Sequence, residues 1–426
     1  MTFLTTCIVL LPFILQLCIA RGTTTALINW SDAQRMPFTN PPHVRLYFSR
    51  DQGEDDLTRS SYTFLVDTGS TGIVTRADRL KVLPSEPITP HAYLFLSSSK
   101  TLYRGFWVNR WVWFNKGTES EVRAQAQVLT VEYKCPCPTY VIGQSGDQCP
   151  SIWGIPPRYN PKYPCGLRCI LSSFPFTCSK VEPQDGPISL MGIGFGRTYD
   201  GQEQSTPDKN VLLNVKTIGG MSITDTAIGT TYSPGWIIDK DGITLGLTDS
   251  NWHPFDSRRV PLPPPARLPM SSPRYMWQWG EIPGTYTVAG FTPSDCNNRS
   301  GCSILIDTGI GYASARGQVE IPADIRDPRS HHLVDRQSVA VSLGLRGASA
   351  ISESFQSGSP GDPDGSCSFA PEYVKVSQDS SMTSGYNTGS HMLRKWRMAI
   401  DFMAGVVGFV EAVPAADACW PIMVLK

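Results

Sequence analysis

The 426-residue chain lacks an excess of either charge: 37 Lys and Arg stand against 37 Asp and Glu. A formal net charge of zero gives no long-range field to draw in nucleic acid or an anionic membrane surface, and neither is expected as a partner. Histidine is scarce, at six residues, and no Cys-x-x-Cys pair occurs. Zinc sites draw on those residues at that spacing, so no metal is expected, and no cofactor is assigned. Beyond residue 20 there is no long apolar run that could cross a bilayer. Charged residues are sparse overall, at 17% of the chain.

Glycine (37) and proline (35) are plentiful instead, between many short β-branched and aromatic runs. That pattern predicts an all-β protein rich in turns. The length predicts two domains, or two lobes of one fold. Residues 1–20 are an apolar stretch ending Cys-Ile-Ala before Arg21, read as a secretory signal peptide with cleavage near Ala20; a membrane anchor is the competing reading. Cys7 and Cys18 would leave with it, and ten cysteines remain. An even count fits disulfides in an oxidising, extracellular compartment. Six of the ten lie between 135 and 178, among many Pro and Gly, and read as a stapled insertion of open connectivity. Cys135 and Cys137 are too close to pair with each other. Cys296 and Cys302 face across a short turn and are expected to pair. Asn29 and Asn298 head glycosylation sequons, consistent with secretion.

Along the chain, ALINW and HVRLYF read as early strands and DQGEDDLTRSS as a hairpin tip. Residues 93–114 read as a long hairpin, two β-rich arms flanking a polar middle, SSSK, with Gly105 at the return, and its three Trp as sheet packing rather than a ligand platform. NVLLNVKTIG is a candidate short helix. WIIDKDGITLGL predicts a hairpin turning at Asp241–Gly242. Residues 324–345 are the strongest helical candidate, although Pro328 interrupts them. The boundary between the halves is placed near 250, where the chain turns Pro-rich. This gives an N-terminal part 21–250 and a C-terminal part 251–426.

One phrase occurs twice. FLVDTGSTGIV spans 64–74 and ILIDTGIG spans 304–311, with Asp67 and Asp307 in the same frame 240 residues apart. Each is an apolar run ending in Asp-Thr-Gly, which suggests two carboxylates that meet and share a task. Close carboxylates repel when both are charged, so their ionisations split and one acid and one base coexist. Water can then be activated and a carbonyl protonated at one site.

The twin motifs, their separation and their flanks resemble the pepsin-like aspartic proteases. LFLSSSKTLYRGFWV lies where that family has its flap hairpin. LMGIGFG and NTGSHMLRKWRMAIDFMAGVVGF match the segments behind the first and second aspartates. The resemblance covers residues 40–412 and is carried mainly by these islands. It implies a bilobal fold of two six-stranded-type β-barrel lobes with a central cleft, and a polypeptide substrate held there by a monomer. Asp67 and Asp307 would be catalytic. Thr68 and Thr308 would bond across the interface, Gly69 and Gly309 would bring N–H groups to the carboxylates, and Ser70 would bond the outer oxygen of Asp67.

Three departures accompany the resemblance. Ile310 stands where the family has Thr or Ser, so Asp307 is expected to lose an outer hydrogen-bond partner. The flap tyrosine position falls at Ser98, with Tyr103 displaced on the same hairpin. The span between Ala20 and Asp67 has no room for a prosegment. The sequence therefore supports a secreted aspartic endopeptidase first. A non-catalytic pepsin-like binder, comparable to plant xylanase inhibitors, is the second reading, and a carbohydrate-binding β-protein the third.

Overall fold

The structure is a computed structural model. It describes residues 21–31, 41–96, 98–137, 178–182, 186–195, 206–264, 279–293, 296, 302–317, 322–327, 330–344, 350–358, 370–371, 373–378 and 384–412. Residues 1–20, read above as a signal peptide, most of the stretch 135–178 and Asn298 lie outside these residues.

The described chain is all-β, in sheets of ten, seven and six strands. Alternating apolar residues dictate this. In His43–Ser49 the side chains of Val44, Leu46 and Phe48 are buried while those between them are exposed or half-buried. The ten-stranded sheet is built from the first half. It contains Tyr62–Asp67, which leads into the first Asp-Thr-Gly, and Thr71–Arg76, which leaves it. Between them lies Ser189–Ile193, parallel to the first and antiparallel to the second. The seven-stranded sheet repeats the arrangement. Cys302–Leu305 leads in, Ala313–Gly317 leaves, and Gly385–Asn387 lies between them, parallel to one and antiparallel to the other. Both segments identified behind the aspartates thus take the same place, as a strand inserted between the two arms of the motif.

The six-stranded sheet draws on both halves. Gly235–Asp239 pairs with Trp396–Asp401, and Ala26–Asn29 joins through Gly242–Leu245. One apolar core runs through all three sheets, including Phe64 and Val66, Trp236 and Phe402, and Ile304 and Tyr386. Asn29 sits exposed on its strand. Among the described residues no helix is long and apolar enough to cross a membrane. Disulfides join Cys135 to Cys178 and Cys296 to Cys302, the latter as expected from spacing.

Several local expectations are corrected. Residues 324–345 form no long helix. A single 3-10 turn covers Ala323–Ile325, and Ser338–Leu343 is a strand. Its burial alternates in twos, and that β-branched alternation outweighs the helical spacing. NVLLNVKTIG likewise divides into a 3-10 turn, Val211–Leu213, and a strand, Val215–Ile218. In the hairpin after Gly235 the turn residues are Lys240 and Asp241, since Asp239 pairs with Gly242.

The long hairpin exists, as Ile88–Leu96 and Thr101–Phe114, but it turns at residues 98–100 rather than at Gly105. Gly105 lies inside the second strand, at a shift of register against Val122–Pro136. A Cβ there would come within 1.8 Å of the Thr130 carbonyl, so the glycine serves close strand approach. Trp107 and Trp113 are buried, and Trp113 donates to Ser49 Oγ at 2.8 Å, as sheet packing requires.

Candidate active site

Both Asp-Thr-Gly turns break off from buried strands, and both aspartates are 7% exposed. The turns are tied together by their threonines. Thr68 N–H donates to Thr308 Oγ1, and Thr308 N–H donates to Thr68 Oγ1, each at 3.0 Å. Each hydroxyl then donates onward at 2.6 Å, Thr68 to the Ile306 carbonyl and Thr308 to the Val66 carbonyl. Four bonds thus join segments 240 residues apart in the chain. Thr308→Val removes one hydroxyl and leaves two buried backbone groups unpaired, so it should cost on the order of 2–4 kcal/mol. A urea melt checks this, with Thr308→Ser expected to recover most of the loss.

Each carboxylate is held from its own turn. Gly69 N–H donates to Asp67 Oδ1 at 2.7 Å, and Gly309 N–H to Asp307 Oδ1 at 2.9 Å. The two glycines also make room for the opposite aspartate. A Cβ on Gly69 would lie 2.4 Å from Asp307 Cγ, and one on Gly309 would lie 2.8 Å from Asp67 Cγ. The requirement for glycine here is therefore space, reciprocal between the two motifs.

The outer oxygens are bonded by different residues. Ser70 Oγ donates to Asp67 Oδ2 at 2.6 Å, as expected. At Asp307 the loss expected from Ile310 does not occur. Asn387 Nδ2 donates to Asp307 Oδ2 at 2.7 Å. Gly389 N–H donates to Asn387 Oδ1 at 2.8 Å and fixes which way the amide points. Asn387 ends the strand inserted behind the second motif, opposite Leu305 in register. Asn387 belongs to neither Asp-Thr-Gly motif, and its partner is 80 residues away in the chain. The one signal available was its position at the head of NTGSHMLRKW.

The Asp307 carboxyl is held well above the usual carboxylate range. Burial is the main cause, followed by the nearby charge of Asp67 and a hydrogen bond shared with the Asp67 side chain. Asn387 and the Gly309 N–H oppose this and do not reverse it. The site therefore contains two adjacent carboxyls, one of which is pushed toward its protonated form. Such a pair can take a proton from water and give one to a carbonyl oxygen.

The hairpin residues fall in two places. Ser98 is exposed in the turn. Tyr103 is further down the second strand, opposite Leu94, and packs on a cluster with Val74, Trp107 and Leu129. Tyr103 is thus a sheet residue. No family model matches the chain, and a search of curated proteins finds no significant match.

Proposed function

We propose that the chain is a secreted aspartic endopeptidase of the pepsin-like kind, acting as a monomer on extended polypeptide. In this reading the ten- and seven-stranded sheets are the bodies of two lobes, and the substrate lies between them over Asp67 and Asp307. The observation that carries the reading is the meeting of the two carboxyls, each against the glycine of the opposite motif, with Asp307 pushed up by burial and by the charge of Asp67. The reciprocal threonine bonds support it, because they fix the two side chains without involving any third catalytic group.

The chemistry follows from one shared proton. Asp67 accepts a proton from water as the water oxygen bonds to the peptide carbonyl carbon. The displaced carbonyl electron pair takes the proton from Asp307, giving a neutral diol. Asp67 then passes its proton to the nitrogen, the C–N bond breaks, and Asp307 recovers a proton from the diol as the new carboxyl forms. Ser70 and Asn387 orient the outer oxygens throughout.

Activity requires one proton on the pair, so it should fall both when the pair loses it and when both carboxyls are protonated. The test is digestion of a denatured protein from about pH 2 to 7, which should give a bell-shaped profile with an acidic optimum. Absence of cleavage by folded protein across that range would remove the proposal.

A further inference from the structure

Arg21 directly follows the apolar stretch 1–20 that ends Cys-Ile-Ala. Its side chain is seated on residues from two distant segments. The guanidinium donates to Asp401 Oδ2 through Nη2 at 2.9 Å and through Nε at 3.3 Å. The same group lies over the Trp252 ring, 4.5 Å from its centroid. Asp401 and Trp252 are buried, and the other Asp401 oxygen accepts from the Met403 and Ala404 N–H groups. The carboxylate is thus fixed from its own turn and presents one oxygen to Arg21. Trp252 belongs to a one-turn helix, Asp249–Trp252, closed by a capping box between Thr248 and Asn251. That helix also brings Asp249 Oδ1 to 3.4 Å from the Arg21 backbone nitrogen and 3.8 Å from Nη1. The next residues continue the seating. Gly22 N–H donates to Ser233 Oγ at 2.8 Å, and the Thr23 and Thr24 N–H groups both donate to the Thr231 carbonyl at 2.9 Å. A Cβ on Gly22 would lie 2.6 Å from that carbonyl oxygen, so the glycine serves close approach.

We infer that the Ala20–Arg21 bond is a processing site, and that Asp401, Trp252 and Asp249 form the receptor for the N-terminus it creates. Hydrolysis adds water across that amide. The hydroxyl goes to the Ala20 carbonyl carbon, and a proton goes to the Arg21 nitrogen as the C–N bond breaks. The catalyst is the peptidase of the export route, for which Cys18 and Ala20 supply the small residues. The freed nitrogen takes a further proton near neutral pH and then faces the Asp249 carboxylate as an ammonium. Arg21 thus presents two cations to two carboxylates. Before the cut the same nitrogen is a neutral amide, so the second charge pair forms only once the leader is gone. The seat also bears on turnover. An aminopeptidase needs the first residue drawn out of the fold, and Arg21 is held by side chain and backbone. The captured end therefore resists trimming. The inference rests on the export of the chain proposed above and not on its peptidase activity.

The test uses the full chain, made with residues 1–20 in a secreting eukaryotic cell and recovered from the medium. Intact mass and N-terminal sequencing should place Arg21 first. The recovered protein is then given a broad-specificity aminopeptidase near neutral pH, and released arginine is counted. Asp401→Asn keeps the oxygen that accepts from Met403 and Ala404 and removes the charge under Arg21. Arginine should leave it about 10- to 100-fold faster than the parent. Asp249→Asn, at an exposed carboxylate whose loss leaves the fold intact, should speed release about 2- to 3-fold. A first residue other than Arg21, or a chain that keeps its leader, would overturn the processing site. Equal release from the parent and both variants would overturn the receptor. Peptide cleavage is read separately. A secreted protein that begins at Arg21, resists trimming and hydrolyses nothing would keep this inference and remove only the protease reading.

Discussion

Asp307→Asn and, separately, Asp67→Asn should each lower the rate of peptide hydrolysis on the order of 10³-fold or more, without loss of fold. A carboxamide can neither take a proton from water nor give one up, so either change removes half of a two-proton mechanism. The variants should fold because the threonine bonds that join the two turns use neither carboxyl. The glycine spaces stay filled, since Asn has the shape of Asp. The two substitutions should also not add. Once one carboxyl is gone, loss of the second has little left to remove. Single-turnover cleavage of a fluorogenic peptide, beside near-ultraviolet circular dichroism, checks both points. The raised Asp307 also acts on stability. Its folded value lies above its unfolded one, so its contribution is present in acid and is lost as pH rises through the folded value. The parent protein should therefore lose some stability toward neutral pH through this group, and Asp307→Asn should remove that dependence.

His391→Leu should make the protein more stable than its parent in acid, by about 3 kcal/mol near pH 4, and change little at pH 7. His391 is fully buried, edge-on to Phe355 at 5.5 Å between centroids, and neither ring nitrogen has a hydrogen-bond partner. Burial, helped by the positive charge of Arg394, pushes its imidazole down to about 3. The backbone of Thr388 opposes this only weakly. A histidine with a depressed folded value keeps its contribution above the unfolded value of about 6.5. That contribution is lost as pH falls from there toward 3. The sign is opposite to that of Asp307, so the two groups pull the acid stability in different directions. Leucine has no proton to gain, and replacing an unpartnered polar ring by an apolar side chain is close to neutral at pH 7. Urea melts of both proteins at pH 4 and 7 give the four numbers needed. Parallel losses in acid would show that His391 does not govern the transition.

The strands were legible because their side chains alternate, and the two motifs because an apolar run followed by Asp-Thr-Gly is conspicuous when repeated in one chain. Thr68, Thr308, Gly69, Gly309 and Ser70 hold the positions that their place in the motif suggests. Asn387 was not legible. A donor that reaches the carboxylate from a neighbouring strand is fixed by register, and register across 80 residues leaves no local trace. Gly105 was misplaced for a different reason. A glycine in a strand can mark either a turn or a close backbone approach, and sequence does not separate the two. Residues 324–345 offered helical spacing, yet the pairing of Ser338–Leu343 with strands on both sides decided the conformation.

The central claim is that Asp67 and Asp307 share one proton in a single site. Titration calorimetry with a statine-type peptide tests it most directly, because the hydroxyl of such a peptide mimics the diol. The peptide should bind one per chain, most tightly in mildly acidic solution. Binding should weaken as the pair loses its proton and fall sharply in Asp67→Asn and Asp307→Asn. No binding to folded protein from about pH 3 to 6, or binding to either variant as tight as to the parent, would contradict the account.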